Sequence, residues 1–389
     1  MNKTKIIDAA FRVWGRNFYR KTSLSQLAGE LGVSKPALYR HFKSKQALTE
    51  AMTEQFLDDF AASIRDDFEK ALDENDPDKG ISTIIRGICG FFAQNVYALL
   101  FFLINIYDHK LDGFSLAQQL KSRGVDMAVI QTIIEKKYIG DPKVIRLVFA
   151  TLSFLMANFH KKNKSMLNPP NDEQIKKIID SICLIIEHGI GYSINEVAVD
   201  FEKLEKQVEE MALNSESEPF FKAVAEAVAQ AGPWDVSMEM VAQKLGLSKS
   251  SLYGRFKNRK DMLRRLFVTE FKHIIEYARQ GIGKSTNAAQ QLYLGIFSVA
   301  TYLRSRPEIL VAMSWIRTRK LDLGKPGKDI EIFRLFEDID IEPVREATDE
   351  DRQRISHWIL FLLINILTSN DNIRLLYKFV TLGLGGFKK

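Results

Sequence analysis

Apolar residues recur three and four positions apart along almost the whole 389-residue chain, and no stretch shows the two-residue alternation of a half-buried strand. The pattern predicts an all-α protein. At the N-terminus Ile6, Ile7, Ala9, Ala10, Val13 and Trp14 already keep helical spacing, so Met1 to Ala10 lacks the continuous apolar run of a secretory leader, and a cytoplasmic location is expected. The stretch nearest to a membrane span, Ile88 to Tyr107, is interrupted by Gln94, Asn95 and Asn105. Its longest clean run, Val96 to Ile104, falls well short of the ~20 residues that cross a bilayer. A buried helix is expected there, with no membrane partner.

The chain is a repeat. Shifted by 214 positions, Leu27 to Leu48 falls on Val241 to Met262 without a gap, with nine identities in 22 positions, among them Leu31, Gly32, Ser34, Lys35, Leu38, Tyr39 and Phe42 against Leu245, Gly246, Ser248, Lys249, Leu252, Tyr253 and Phe256. Further on, FLMANF (Phe154 to Phe159) pairs with FLLINI (Phe361 to Ile366) at an offset of 207, and GIGY (Gly189 to Tyr192) resembles GLGGF (Gly383 to Phe387). The falling offset makes the second copy shorter. Between the copies Val197, Phe201, Leu204, Val208 and Met211 step by four and three, which predicts an amphipathic connecting helix from Ser193 to Leu213, broken by Asn214 to Pro219.

The shared segment has its own local logic. Ser23, with Gln26 three residues on, forms a capping box that opens a short amphipathic helix through Leu24, Leu27, Ala28 and Leu31. Gly32 supplies a left-handed turn, and Ser34 caps a second helix, Lys35 to Phe42. Leu38 and Phe42 face inward there, and Lys35, Ala37, Arg40 and His41 face out. That is a helix-turn-helix.

Charge sharpens the picture. The net charge is +6 and the pI about 9.0. Ser34 to Lys45 carries Lys35, Arg40, Lys43 and Lys45, and Ser248 to Lys260 carries Lys249, Arg255, Lys257, Arg259 and Lys260, neither with an acid. These nine cations leave the remainder of the chain at −3, so basicity is confined to two small places. A helix that enters the major groove needs a small-residue first turn to approach base edges and cations around it to neutralise phosphates.

These residues resemble the TetR family: SLSQLAGELGVSKPALYRHFKSKQAL has its capped second helix, glycine turn, recognition helix and a lysine opening the long fourth helix, and SMEMVAQKLGLSKSSLYGRFKNRKDM resembles it almost as well. The resemblance implies two tandem repressor-like units. Helix-turn-helix DNA-binding domains are expected at 1–48 and 217–262, helical regulatory domains at 49–192 and 263–389, and a connecting helix or linker at 193–216. It further implies that Tyr39, Lys45, Tyr253 and Arg259 contact phosphates, that Lys35, Pro36 and Ala37 lie nearest the bases in unit one, and Lys249, Ser250 and Ser251 in unit two. Ser23, Arg40, His41, Ser237, Arg255 and Lys257 complete the expected DNA-binding set. Two departures stand out: Phe18 occupies the place of Gly232, and Gly254 and Arg255 replace Arg40 and His41. The two heads should therefore read unlike half-sites.

Family members pair through their last two helices, so FLMANF and FLLINI are expected to join the two units as an intramolecular pseudo-dimer, two heads spaced by about one turn of the duplex, ~34 Å. The alternative is a chain that pairs again, with four heads. The family also implies a small apolar effector. Candidate lining is Phe91, Phe92, Asn95, Tyr97, Phe101 and Phe102 in unit one, and Tyr293, Phe297, Tyr302, Met313 and Trp315 in unit two; the alternative for both sets is plain core.

Rival readings are a non-specific nucleic-acid-binding protein associated with the nucleoid, and a nucleotide-binding enzyme. Ala278 to Ser285, ARQGIGKS, fits a relaxed phosphate loop, but it ends a helical run instead of following a strand. Cys89 and Cys183 sit in apolar helical patterns without metal-ligand spacing, and no catalytic constellation or cofactor is expected.

Overall fold

A computed structural model describes residues 2–16, 23–107, 113–165, 167–190, 199–211, 219–318, 334–336, 339, 349–368 and 372–389. Among these no strand occurs, and the fold is all-α in tandem units. The chain divides into two compact units: one takes in residues 1–145, 152–184 and 388–389, the other 146–151 and 185–387.

In the first unit a three-helix head, α1 (Lys3–Arg16), α2 (Leu24–Glu30) and α3 (Lys35–His41), leads into the 29-residue α4 (Lys45–Asp73). Ser23, Ser34 and Ser44 cap the last three through their hydroxyls, fixing where each begins. There follow α5 (Pro77–Gln94), α6 (Val96–Tyr107), α7 (Gly113–Lys121), α8 (Ala128–Lys137), α9 (Pro142–Lys162) and α10 (Asp172–His188), of which residues 146–151 and 185–188 fall in the second unit. Prolines open α5 and α9 where a missing N–H costs nothing, behind Asp76 and Asp141 as caps. The single helix expected over Ile88 to Tyr107 is in fact two. Asn95 leaves the helical region at φ −120, ψ 65, returns its amide to the Phe91 carbonyl at 2.8 Å, and bends α5 against α6 by 106°. A polar side chain that competes for the backbone ends the helix.

Sequence inspection also passed over α9, which is long and apolar enough to cross a bilayer. Val144, Leu147, Leu152 and Met156 on it are buried, as in a core helix.

The second unit holds α11 (Phe201–Glu209), α12 (Pro219–Asp235, broken at Gly232 with φ 78), α13 (Met238–Lys244), α14 (Lys249–Arg255), α15 (Arg259–Ile282), α16 (Ala288–Arg304), α17 (Pro307–Thr318), α18 (Asp349–Thr368), α19 (Ile373–Leu382) and a closing 3-10 turn, Gly383–Phe387. Of the connecting helix expected from Ser193 to Leu213, residues 193–198 and 212–213 lie outside the described residues. Val199 and Asp200 are not helical, and the Asp200 carboxylate accepts from the Lys203 amide at 3.1 Å, so α11 starts at Phe201.

Two contacts inside the second unit join positions that the repeat makes counterparts. The Trp358 indole donates to Thr151 Oγ1 at 3.0 Å, both buried, and 207 positions separate them, the offset of FLMANF and FLLINI. Gly189 and Gly383, the leading glycines of GIGY and GLGGF, meet backbone to backbone: a Cβ on Gly383 would stand 2.7 Å from the Gly189 nitrogen. Both have positive φ, 66 and 57, and nothing larger than hydrogen fits.

Candidate functional site

The head of the first unit is built as its residues dictate. The Ser23 hydroxyl accepts from the Gln26 backbone N–H at 3.2 Å while the Gln26 side-chain Oε1 takes the Ser23 N–H at 2.7 Å, closing the capping box. Gly32 turns the chain at φ 64, and the Val33 N–H reaches back to the Ala28 carbonyl. The α3 helix then packs through Leu38, with Phe42 beyond its end also buried. Lys35, Pro36, Arg40 and His41 are exposed, Ala37 and Lys45 half-buried.

The second head repeats this geometry. Ser237 caps α13 onto the Met240 amide at 3.2 Å, Gly246 turns at φ 63, and Leu252 and Phe256 are buried. Lys249, Ser250, Ser251, Arg255 and Lys257 are exposed, Ser237 and Arg259 half-buried. Tyr39 is 41% exposed and Tyr253 50%, so the phenol ring on each recognition helix faces outward instead of filling its own core.

Local contacts separate the two surfaces. The Lys35 ammonium sits over the Tyr39 ring, 5.9 Å from its centroid. Lys249 instead has the Glu239 carboxylate 3.4 Å away, and the Ser250 and Ser251 hydroxyls each lie 2.8 Å from Ser248 Oγ, turned in on the helix cap. The Arg255 guanidinium lies over Phe220 at 5.9 Å. Phe18 lies outside the described residues, so the contrast with Gly232 stays an expectation.

Beneath the first head is a cavity of about 380 Å³. Of the expected lining, Phe91, Asn95 and Tyr97 border it. Phe92, Phe101 and Phe102 do not: they interleave with Phe56 at centroid separations of 5.8 to 6.5 Å, a ring core that leaves no space between them. The sequence reading missed Phe11 and Arg12 of α1, His160 at the end of α9, and Ser165. One signal was legible. At the 207 offset His160 falls opposite Leu367, a polar residue where the other copy is apolar.

The second set of expected pocket residues packs as core. The Tyr293 hydroxyl donates to Glu205 and its ring meets Phe201 edge-on at 4.6 Å. Phe297 stacks on Tyr293, Met313 is buried, and Tyr302 donates to the buried Glu270 at 2.9 Å. The Trp315 side chain lies outside the described residues. Burial and the Glu205 carboxylate beside it push the Tyr293 phenol up.

The phosphate-loop look-alike behaves as a helix end. Ala278 is buried on α15, and a Cβ on Gly281 would stand 2.1 Å from Ser298 Oγ, so the glycine answers to packing against α16. No cluster of metal-ligating side chains occurs among the described residues.

A family model described as bacterial regulatory proteins, tetR family, matches the chain twice, at residues 6–52 and 221–266, over both heads. Both heads are thus similar to the tetR-family regulators over about a quarter of the chain. The chain's similarity to curated regulators is partial: 26% identity over 118 residues with the HTH-type transcriptional repressor ComR of Escherichia coli, 30% of this chain and 55% of ComR, and 36% over 55 residues with the uncharacterized HTH-type transcriptional regulator YerO of Bacillus subtilis, 14% of this chain and 19% of YerO. The chain thus matches about half of the first and a fifth of the second. Among solved structures it is similar to the TetR family transcriptional regulator PfmR from Thermus thermophilus, at 22% identity and a TM-score of 0.30, covering 46% of this chain and 96% of that one.

Proposed function

We propose that the chain is a sequence-specific double-stranded-DNA-binding transcription regulator, an effector-responsive repressor acting as a covalent pseudo-dimer on an asymmetric operator. One observation carries the reading: the same capped, glycine-turned helix pair occurs twice in one chain, each time presenting cations and an exposed tyrosine on its recognition helix. In this reading Tyr39, Lys45, Tyr253 and Arg259 hold phosphates. Lys35, Pro36 and Ala37 approach base edges in the first head, and Lys249, Ser250 and Ser251 in the second. Because the Ser250 and Ser251 hydroxyls are drawn to Ser248, the second head relies more on the backbone of its half-site.

The pseudo-dimer draws support from the counterpart contacts. In a twofold assembly the residues on the axis meet their own equivalents. Trp358 on Thr151, and Gly383 against Gly189, are such meetings within one polypeptide. The protein would work in the cytoplasm, at the nucleoid, and no enzymatic step is assigned to it.

Selection of bound fragments from a random duplex pool tests the reading. The expected result is a two-part, non-palindromic site preferred about a thousandfold or more over other sequences; uniform binding of all sequences would overturn it. Light scattering tests the pairing. A concentration-independent mass near 44.5 kDa is expected, and twice that value removes the pseudo-dimer.

A further inference from the structure

We infer that the cavity beneath the first head binds a small, neutral aromatic alcohol of the phenol or naphthol type, held by His160 and Ser165. The inference rests on the effector reading above and gives it a site and a ligand class.

Both residues line the cavity, both are only 6% exposed, and each keeps a buried polar atom without a partner, His160 Nδ1 and Ser165 Oγ. Such atoms are costly to leave unsatisfied, and two bordering one cavity mark a place fitted to receive a polar ligand group. The turn that brings them together is itself unusual. After α9, Lys164 adopts φ 50, uncommon for a residue with a side chain, and this folds the Ser165 amide back onto the His160 carbonyl at 3.1 Å.

The chemistry of the partner follows from the ring. His160 Nε2 lies 2.7 Å from the Phe92 carbonyl, which can only accept, so Nε2 carries the proton and Nδ1 is a bare acceptor. Burial holds the imidazole pKa below its ordinary value and keeps the ring neutral. The ligand must therefore donate to Nδ1 and can accept from Ser165, and an O–H group has both capacities. Phe11, Phe56 and Phe91 supply aromatic walls. Asp8 and Asp59 disfavour an anion, and Arg12 disfavours a cation.

Asp8, Phe11 and Arg12 belong to α1, the first helix of the head, and Phe11 meets Phe101 edge-on at 5.0 Å. Occupancy and the seat of α1 are thus linked. The second copy has Leu367 where the first has His160, so one site per chain is expected.

Calorimetry of the full chain with 2-naphthol, and with its methyl ether as a donor-free control, tests this without DNA. The expected result is one site for the alcohol with at least tenfold weaker binding of the ether, about the loss of one hydrogen bond. His160→Leu, which installs the residue of the other copy, and Ser165→Ala each lower affinity for the alcohol about tenfold and leave the ether within twofold. Should His160→Leu fail to melt cooperatively, Ser165→Ala and the ether decide. Absence of naphthol binding, equal binding of alcohol and ether, or two sites per chain overturns the inference. A chain that selects DNA but ignores naphthol loses only this site, whereas one that binds naphthol and selects no DNA keeps the site and loses the regulator reading.

Discussion

The indole of Trp358 donates to the hydroxyl of Thr151 at 3.0 Å across 207 residues of sequence, with both groups shielded from water. Thr151→Val keeps the shape and removes the acceptor, leaving a buried N–H unpaired at a cost of about 1–3 kcal/mol. Thr151→Ser, which restores the hydroxyl, recovers most of that loss. Adding Trp358→Phe to Thr151→Val costs less than the two single changes summed, because no orphaned donor remains. Melting curves of the four variants check this, and strict additivity would deny the pair its role.

A second, half-buried tie predicts a pH response. Arg374 forks onto both oxygens of Glu205, at 2.8 and 2.7 Å, and the Tyr293 hydroxyl donates to the same carboxylate. The Arg374 hydrogen bonds, helped by Tyr293, hold the Glu205 carboxyl below its ordinary value despite partial burial. A carboxylate whose folded pKa is depressed stabilises the fold fully above its unfolded value, about 4.3, and loses that contribution as pH falls through the folded value. The melting temperature of the natural chain should fall more steeply below pH 4.3 than that of Glu205→Gln, while at pH 7 Glu205→Gln and Tyr293→Phe each cost about 1 kcal/mol. Parallel curves for the natural chain and Glu205→Gln would show that the fork contributes nothing.

How far the sequence revealed this molecule depends on how local the determining physics is. The caps at Ser23 and Ser34 and the turn at Gly32 involve residues a few positions apart and lie where the pattern put them, and Ser237, Ser248 and Gly246 repeat them in the second copy. Asn95 was visible as a polar interruption, yet whether an asparagine ends a helix depends on its side chain turning back to Phe91. The cavity was half legible. Phe91, Asn95 and Tyr97 stood out as an aromatic stripe with a polar anchor, but His160 and Ser165 come from a distant helix end, and Phe11 from the head. Apolar spacing alone could not distinguish Tyr293 in a packed core from a ring lining an opening, because the two share one pattern.

The unlike surroundings of the two equivalent lysines, Lys35 and Lys249, give the last prediction. Lys35 has an aromatic ring beside it, whereas Lys249 shares the exposed surface with the Glu239 carboxylate at 3.4 Å. That exposed pair is worth little to folding, so Glu239→Gln should leave stability within about 0.5 kcal/mol. Facing a duplex, however, the same carboxylate repels phosphates and competes for the ammonium. Its removal should tighten operator binding several-fold at low salt and steepen the dependence of affinity on salt by up to about one counterion. Lys45→Ala and Arg259→Ala act in the opposite sense, each flattening that slope by about one. Lys35→Ala should relax base preference in one half of the operator only. Titrations of labelled duplex between 50 and 200 mM salt measure all four variants. If Glu239→Gln weakens binding, or if Lys35→Ala blurs both halves equally, the two heads do not read DNA as separate and unequal surfaces.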